Sequence, residues 1–399
     1  MTGTHSVHRF TPEDRAASTW HYLPFEVPVG CGAFTVRISQ SDPGAVIDLG
    51  CLGPDGWCGW SGGARREFTV TDSDATPGYL PGVPPGTWSV VLGLHRVPAR
   101  GVDVAVAVTL RPEPLPGLPP PPPVPDRPPR PDLPDVDGLR FLACDFHCHT
   151  VHSDGADTID AVAALGVAAG LDVLAVTDHD TTSHHRHLPG SGARYGISLL
   201  PGQEVTTWRG HANAFGDIGW IDFRQPPDTW ITETAARGGL LSVNHPVSGD
   251  CAWRWPLAGR PPLLETWHSS WFDRTWGAPL AFRQAFAPES VPIGGADYHR
   301  SGSDAPPGYP TTWVLARSAE PADVLEGLAA GRTAISAGPG APVLVRAGDE
   351  FLVLGGDGLL LADADGRRTV VHGERVRLAA APGLHWLEDG ATGIQAICA

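Results

Sequence analysis

The chain is predicted to be an α/β protein flanked by β-rich regions, and three observations carry that reading. Residues 20 to 111 hold short β-like runs between Gly, Pro and Asp turns, strand-like and helix-like runs alternate from Leu139 onward, and a proline-rich stretch divides the two. At 399 residues the chain exceeds one ordinary core, so two or three domains are expected.

The first region contains "FTVRIS", "AVIDLG", "REFTV", "TWSVVLGL" and "VDVAVAVTL", with no convincing helix among them, which predicts a small β-sandwich over residues 1–112. In "RPEPLPGLPPPPPVPDRPPRPDLPDVDG" the prolines fix φ and remove donors, so residues 113–138 are expected to be a stiff, extended spacer and the clearest domain boundary. Residues 139–340 then alternate: strand "LRFLACDFH", Ala-rich helix "TIDAVAALGVAAG" stopping at Gly170, strands "LDVLAVTDH" and "ISLLPGQEV", helix "DTWITETAARGG", strands "LLSVNHP", "LLETWHSS" and "VPIGGADYH", and a closing helix "PADVLEGLAAG". That order predicts a parallel sheet or an α/β barrel. Runs such as "PVLVRAG", "EFLVLGG" and "TVVHGERVRLAAA" predict a small β extension over 341–399.

The formal charge of -16 argues against a non-specific nucleic-acid binder, which needs a cationic surface to displace counterions. The start "MTGTHSVHRFTPEDRAAS" lacks the basic end and apolar run of a signal peptide, and no run approaches the roughly 18 apolar residues of a membrane span. A cytoplasmic chain without nucleic-acid or membrane partners is therefore expected, its oligomeric state open. Seven cysteines without a repeated spacing do not make a disulfide framework and read as small buried hydrophobes.

The strands of the middle region end in possible metal ligands: "DFHCH", "TDHD", "GQEV", "VNHP" and "GADYH". At the carboxyl ends of barrel strands such residues converge in space, and residues two apart on a strand share a face, so His147 with His149, and Asp297 with His299, can each grip one ion. A lone H-x-H recurs by accident; many imidazoles and carboxylates gathered in one apolar barrel mouth need something to pair them.

"HCHTVHSDG", "TDHD", "PGQEV" with Gly210 and His211, "NHP" and "GADYH" together resemble, in order, the motifs of the PHP (polymerase and histidinol phosphatase) superfamily over roughly residues 140 to 335, and the β-rich amino-terminal addition is similar to its carbaryl-hydrolase-like branch. The resemblance implies a distorted (β/α)7 barrel with two or three divalent ions. The first would take His147, His149, Glu204 and Asp297; the second would share Glu204 and add His211 and His245; a third would take Asp154, His179 and His299, with Asp154 standing where some members carry histidine. Mixed imidazole and carboxylate ligation suits zinc, manganese or iron. The implied activity is hydrolysis of small, anionic phosphomonoesters or phosphodiesters by a metal-bound hydroxide, with Glu204 as the bridge; the branch raises carboxyl ester or carbamate hydrolysis instead. A carbohydrate- or partner-binding role for the β-domain stays open beside catalysis.

Other polar residues carry two readings each. His268 is the leading general acid or else a core histidine, and Arg209 and Arg300 clamp a substrate anion or balance acidic neighbours. Asp178 is expected to orient His179; His184, His185 and His187 read as a solvated loop, and His152 as exposed. Trp253, Trp255, Trp267, Trp271 and Trp276 read as buried residues before pocket lining.

Overall fold

The computed structural model describes residues 3–111, 115 and 117–398; the boundary expected between residues 112 and 113 and the two ends of the chain lie outside them. The fold is mixed α/β with large sheets and few, short helices. It divides into two compact units, the first of Met1–Pro119 with Val151–Asp154 and Asp178–His184, the second of Pro120–Thr150, Gly155–Thr177 and His185–Ala399.

The first unit holds two antiparallel four-stranded sheets. One orders Gly3–Phe10, Val102–Leu110, Ala33–Gln40 and Glu67–Thr71; the other orders Trp20–Val27, Gly86–Arg96, Val46–Gly53 and Gly56–Gly62. Alternation makes the core: Val102, Val104, Val106 and Val108 are buried from one strand and join Phe34, Ile47, Leu49, Trp88 and Leu92 in a single cluster. Burying each such side chain contributes roughly 1.5–3 kcal/mol. A helix stands where none was expected, at Pro12–Ala17, and it is made by its start rather than by periodicity. Thr11 Oγ1 accepts from Asp14 N at 3.3 Å while Asp14 Oδ2 accepts from Thr11 N at 2.8 Å, a reciprocal cap that six residues with no buried face can rest on.

In the second unit seven strands lie side by side in the order Val291–Gly295, Leu263–His268, Leu240–Val243, Gly210–Phe215, Ser198–Thr207, Val173–Val176 and Arg140–Asp145. A parallel bridge links Cys148 and Tyr298, just past the last and first strands of this run, and Arg140–Asp145 pairs on its other side with Thr311–Ala316. Four of the pairings are parallel, but Gly210–Phe215 runs antiparallel to both neighbours. The two residues Trp208 and Arg209 turn the chain back after Ser198–Thr207, too few for the crossover that a parallel partner requires. Helices Ile159–Ala168, Pro227–Ala236 and Pro321–Ala329 fall where the sequence places them; Leu188–Tyr195 and Ala278–Phe286 were not anticipated. Thr158 caps the first of these through Ala161 N at 3.2 Å.

The proline-rich stretch forms no helix or strand over its described residues but is tied down. Tyr195 Oη donates to Pro122 O at 2.6 Å, Arg127 Nη2 to Gly196 O at 2.9 Å, and Arg130 pairs with Asp172. Beyond residue 341, Val343–Ala347, Glu350–Leu354 and Arg375–Ala379 form a three-stranded sheet. Ile394–Cys398 pairs with Thr333–Ser336 and so joins the large sheet, and Leu344, Phe351 and Leu352 share a core cluster with Val162 and Leu174. All seven cysteines are free, and six are buried. Among the described residues no helix is long and apolar enough to cross a membrane.

Candidate metal centre

His147 and His149 follow the strand Arg140–Asp145 in the extended stretch that bridges to Tyr298. Both rings are buried, and their Nε2 atoms stand 3.1 Å apart. Asp297 Oδ1 lies 3.1 Å from His147 Nε2 and 3.0 Å from His149 Nε2, yet this buried oxygen makes no hydrogen bond. His147 Nδ1 is 2.9 Å from Glu265 Oε1, so Nδ1 carries a proton there and Nε2 presents a lone pair once its own proton has left. Lone pairs of two imidazoles and a carboxylate converging within such distances repel unless a cation stands among them. His147, His149, Glu204 and Asp297 offer ligand atoms all within 4.8 Å of one another, so these residues fit the ion that the resemblance implies.

Glu204 is positioned by the hairpin. It sits opposite Asn213 in the register, which brings His211, two residues earlier and on the same face, to 3.2 Å from Glu204 Oε1 through Nδ1. His245, just past Leu240–Val243, puts Nε2 at 3.3 Å from the same oxygen, and Asn244 Nδ2 donates to it at 2.9 Å. Backbone strain helps aim these groups: Asp297 at φ 53° and His245 at φ 28° occupy a region that non-glycine residues seldom adopt.

Burial alone would lower the pKa of His147 and of His245. Asp297, Glu204 and Glu265 around the first, and Cys251 and Glu204 around the second, reverse that and raise both well above the ordinary value. Burial would likewise raise Asp297, but His147, His149 and a hydrogen bond from His268 hold it well below the usual carboxylate range.

The remaining expected residues are placed variously. Asp154 and His179 meet each other at 3.5 Å, and His299 stacks on His149 with ring centroids 4.1 Å apart. His268 Nε2 is 3.1 Å from Asp297 Oδ2 and its Nδ1 is 2.7 Å from Ser270 Oγ, which puts it in the ligand network. Arg209 lies with its guanidinium 4.3 Å from the Trp255 ring centroid and donates to Arg254 O at 2.9 Å, while Arg300 is exposed. Asp178 accepts from Ser153 Oγ at 2.7 Å and faces His184 at 3.5 Å.

Two histidine readings are corrected. His152 is buried, with Nδ1 2.8 Å from Ser183 Oγ, and His184 is fully buried; only His187 in that run is exposed. The run leads into a 3-10 turn, His185–His187, followed directly by Leu188–Tyr195. Of the tryptophans, Trp253 and Trp267 are buried and Trp276 is 69% exposed.

Sequence reasoning missed Glu265, Asn244 and Asp145. Glu265 Oε2 also accepts from His245 N at 2.7 Å, so one carboxylate holds two of the histidines. Asp145 accepts from the backbone N–H groups of Gly308, Ala296 and His147 at 2.7, 3.1 and 3.1 Å, pinning the ends of separate strands together. A carboxylate inside an apolar strand, as in "LLETWH" and "FLACD", was the available signal, since such a residue is rarely buried unpaired.

No protein-family model matches the chain. It is 36% identical over 64 residues to a phosphoribosyl 1,2-cyclic phosphate 1,2-diphosphodiesterase from Eggerthella lenta, covering 16% of this chain and 24% of that protein. It is 39% identical over 70 residues to a 5'-3' exoribonuclease from Escherichia coli, covering 17% and 24%. The chain thus spans about a quarter of the length of these curated relatives. Among solved structures it is similar to a two-domain protein from Bacteroides vulgatus containing a predicted PHP-like metal-dependent phosphoesterase, with a TM-score of 0.43 and 19% identity over 68% of this chain and 91% of that one. It is also similar to an amidohydrolase from Chromobacterium violaceum, with a TM-score of 0.32 and 16% identity over 41% and 89%.

Proposed function

We propose that the protein is an enzyme of the PHP type, a metal-dependent hydrolase acting on small phosphomonoesters or phosphodiesters. The observation that carries this reading is the crowding of imidazoles on one carboxylate: His147, His211 and His245 each bring a ring nitrogen within 3.3 Å of Glu204 Oε1. A buried carboxylate so surrounded is suited to bridge two cations. The run of seven strands is read as the distorted (β/α)7 barrel, and the two sheets of the first unit as a β-sandwich.

His147, His149, Glu204 and Asp297 would hold one ion, Glu204 with His211 and His245 a second, and Asp154 and His179 belong to a third; His299 is a further candidate ligand. When bound, zinc, manganese or iron would supply a water of lowered pKa and polarise the ester oxygen. The chain's own residues do the rest. Glu265 keeps His147 in the tautomer that presents Nε2 and fixes the backbone of His245. His268, held between Ser270 and Asp297, keeps a proton at Nε2 that can pass to the departing alkoxide.

The relatives' printed activities, on a cyclic phosphodiester and on RNA, favour phosphate over carboxyl ester chemistry. The charge of -16 favours a small substrate over a nucleic acid tracked along its backbone. Protein loaded with zinc, manganese or iron should be assayed against phosphomonoesters, small phosphodiesters, 5'-phosphorylated RNA, carboxyl esters and carbamates. Turnover of the small phosphoesters is expected. Turnover confined to carboxyl esters or carbamates would replace the phosphoesterase reading, and failure to bind any of the metals would end the hydrolase reading.

A further inference from the structure

The first unit contains more than the amino-terminal sheets: Val151–Asp154 and Asp178–His184, which carry Asp154 and His179, are part of it. Both segments are bound to two residues of the sheets' loops. The Arg65 guanidinium donates to Val151 O through Nη2. Gly78 N donates to Ser183 Oγ at 3.1 Å, and Gly78 O accepts from Thr181 Oγ1 at 2.9 Å. At φ 102° Gly78 has a backbone that a side chain disfavours, and a Cβ there would stand 2.8 Å from His152 O and 2.8 Å from Trp60 O. The close approach depends on glycine. The segments are also fastened to each other, Ser183 Oγ to His152 Nδ1 at 2.8 Å and Ser153 Oγ to Asp178 Oδ1 at 2.7 Å.

The chemistry is more specific than loop packing requires. Arg65 is a half-buried cation whose field acts on Asp178 and Asp154, two carboxylates that otherwise add negative charge to the same short segments. Burial disfavours its charge, Tyr79, Asp178 and Asp154 favour it, and the guanidinium is bonded to the backbone three residues before Asp154.

We propose that the amino-terminal β unit positions the two ligand-bearing segments through Arg65 and Gly78, and thereby sets how tightly the ion assigned to Asp154 and His179 is held; this rests on the metal reading above. Arg65 and Gly78 are positioning residues, and the β unit is a working part of the enzyme. The test compares full-length Arg65→Ala, Arg65→Lys and Gly78→Ala with Asp154→Asn, using manganese(II) titration followed by electron paramagnetic resonance, and amide hydrogen exchange on the metal-free proteins. Arg65→Ala and Gly78→Ala should weaken the weakest manganese site about ten- to a hundredfold, the range seen when groups that orient ligands are removed. Arg65→Lys should recover part of that loss. Exchange should rise over 151–154 and 178–184 and stay unchanged over Ser198–Thr207. The double variant Arg65→Ala with Asp154→Asn should bind manganese no worse than Asp154→Asn alone. Normal manganese binding by Arg65→Ala and Gly78→Ala, when Asp154→Asn loses an ion, would overturn the proposal. If Asp154→Asn loses none, the third-ion assignment fails instead, and unchanged exchange in Arg65→Ala would then overturn the positioning role by itself.

Discussion

Replacing Glu265 by Gln tests the centre through the carboxylate that stands behind two of its histidines. Its two oxygens face two donors, His147 Nδ1 at 2.9 Å and His245 N at 2.7 Å. Glutamine keeps the shape but owns one acceptor, so either orientation of the amide sets an NH2 against an N–H. The ring of His147 or the backbone of His245 must then shift, and both belong to the set around Glu204. Loss of a carboxylate behind a ligand histidine lowers metal affinity about 10- to 100-fold, which is about 1.4–2.7 kcal/mol. Competition with a chromophoric zinc chelator at fixed pH reads that shift directly. Glu265→Gln should also release fewer protons on metal binding, because Glu265 is one of the groups that raise His147. Wild-type affinity and proton release in this variant would refute the argument that Glu265 orients the histidines.

Metal affinity should climb with pH, because the raised pKa values of His147 and His245 mean that protons must leave before an ion enters; the slope should approach tenfold per pH unit for each proton, read by calorimetry in buffers of different ionisation enthalpy. In the metal-free protein the sign is opposite: protonated His147 and His245 stabilise the fold fully below about pH 6.5, and thermal melts should show that contribution lost as pH rises through their raised values. Glu204→Gln should lose more metal and more rate than Asp154→Asn, since it disturbs two ions rather than one; elemental analysis with steady-state rates checks the order. Gly295→Ala should deplete metal without unfolding the first unit, because its Cβ would fall 2.4 Å from His147 Cβ and 2.6 Å from Glu265 Oε1, and metal analysis beside circular dichroism decides it. Arg209→Ala or Arg300→Ala should raise KM or lower kcat about ten- to a hundredfold on a phosphate, the equivalent of roughly 1.5–3 kcal/mol for a charge-assisted hydrogen bond, and leave metal content intact.

Much of the centre was legible because metal chemistry restricts residue types and strand geometry restricts spacing. "HCH" and "GADYH" mark candidate ligands that share a face, and the structure brings His147, His149 and Asp297 of these motifs together with Glu204. Ile159–Ala168 was readable from its Ala-rich run and the glycine that stops it, and Pro321–Ala329 from the proline in its first turn. Pro12–Ala17 leaves no periodic trace, having no buried residue, and only its cap reveals it. His152 was misjudged because burial is a property of neighbours distant in the chain: Ser183, 31 residues on, stands 2.8 Å from its ring, and no local pattern records that.

The sequence by itself determined the alternation of elements and singled out the candidate ligands, because both are written in residue type and short-range spacing. Only the tertiary structure decided that Gly210–Phe215 runs antiparallel and carries His211 back to Glu204, and that Glu265 stands behind two histidines at once. It also decided that Arg65 and Gly78 reach Val151 and Ser183, 86 and 105 residues away. These are contacts between parts of the chain far apart in sequence, and their geometry follows from how sheets close and pack, which composition and periodicity do not encode.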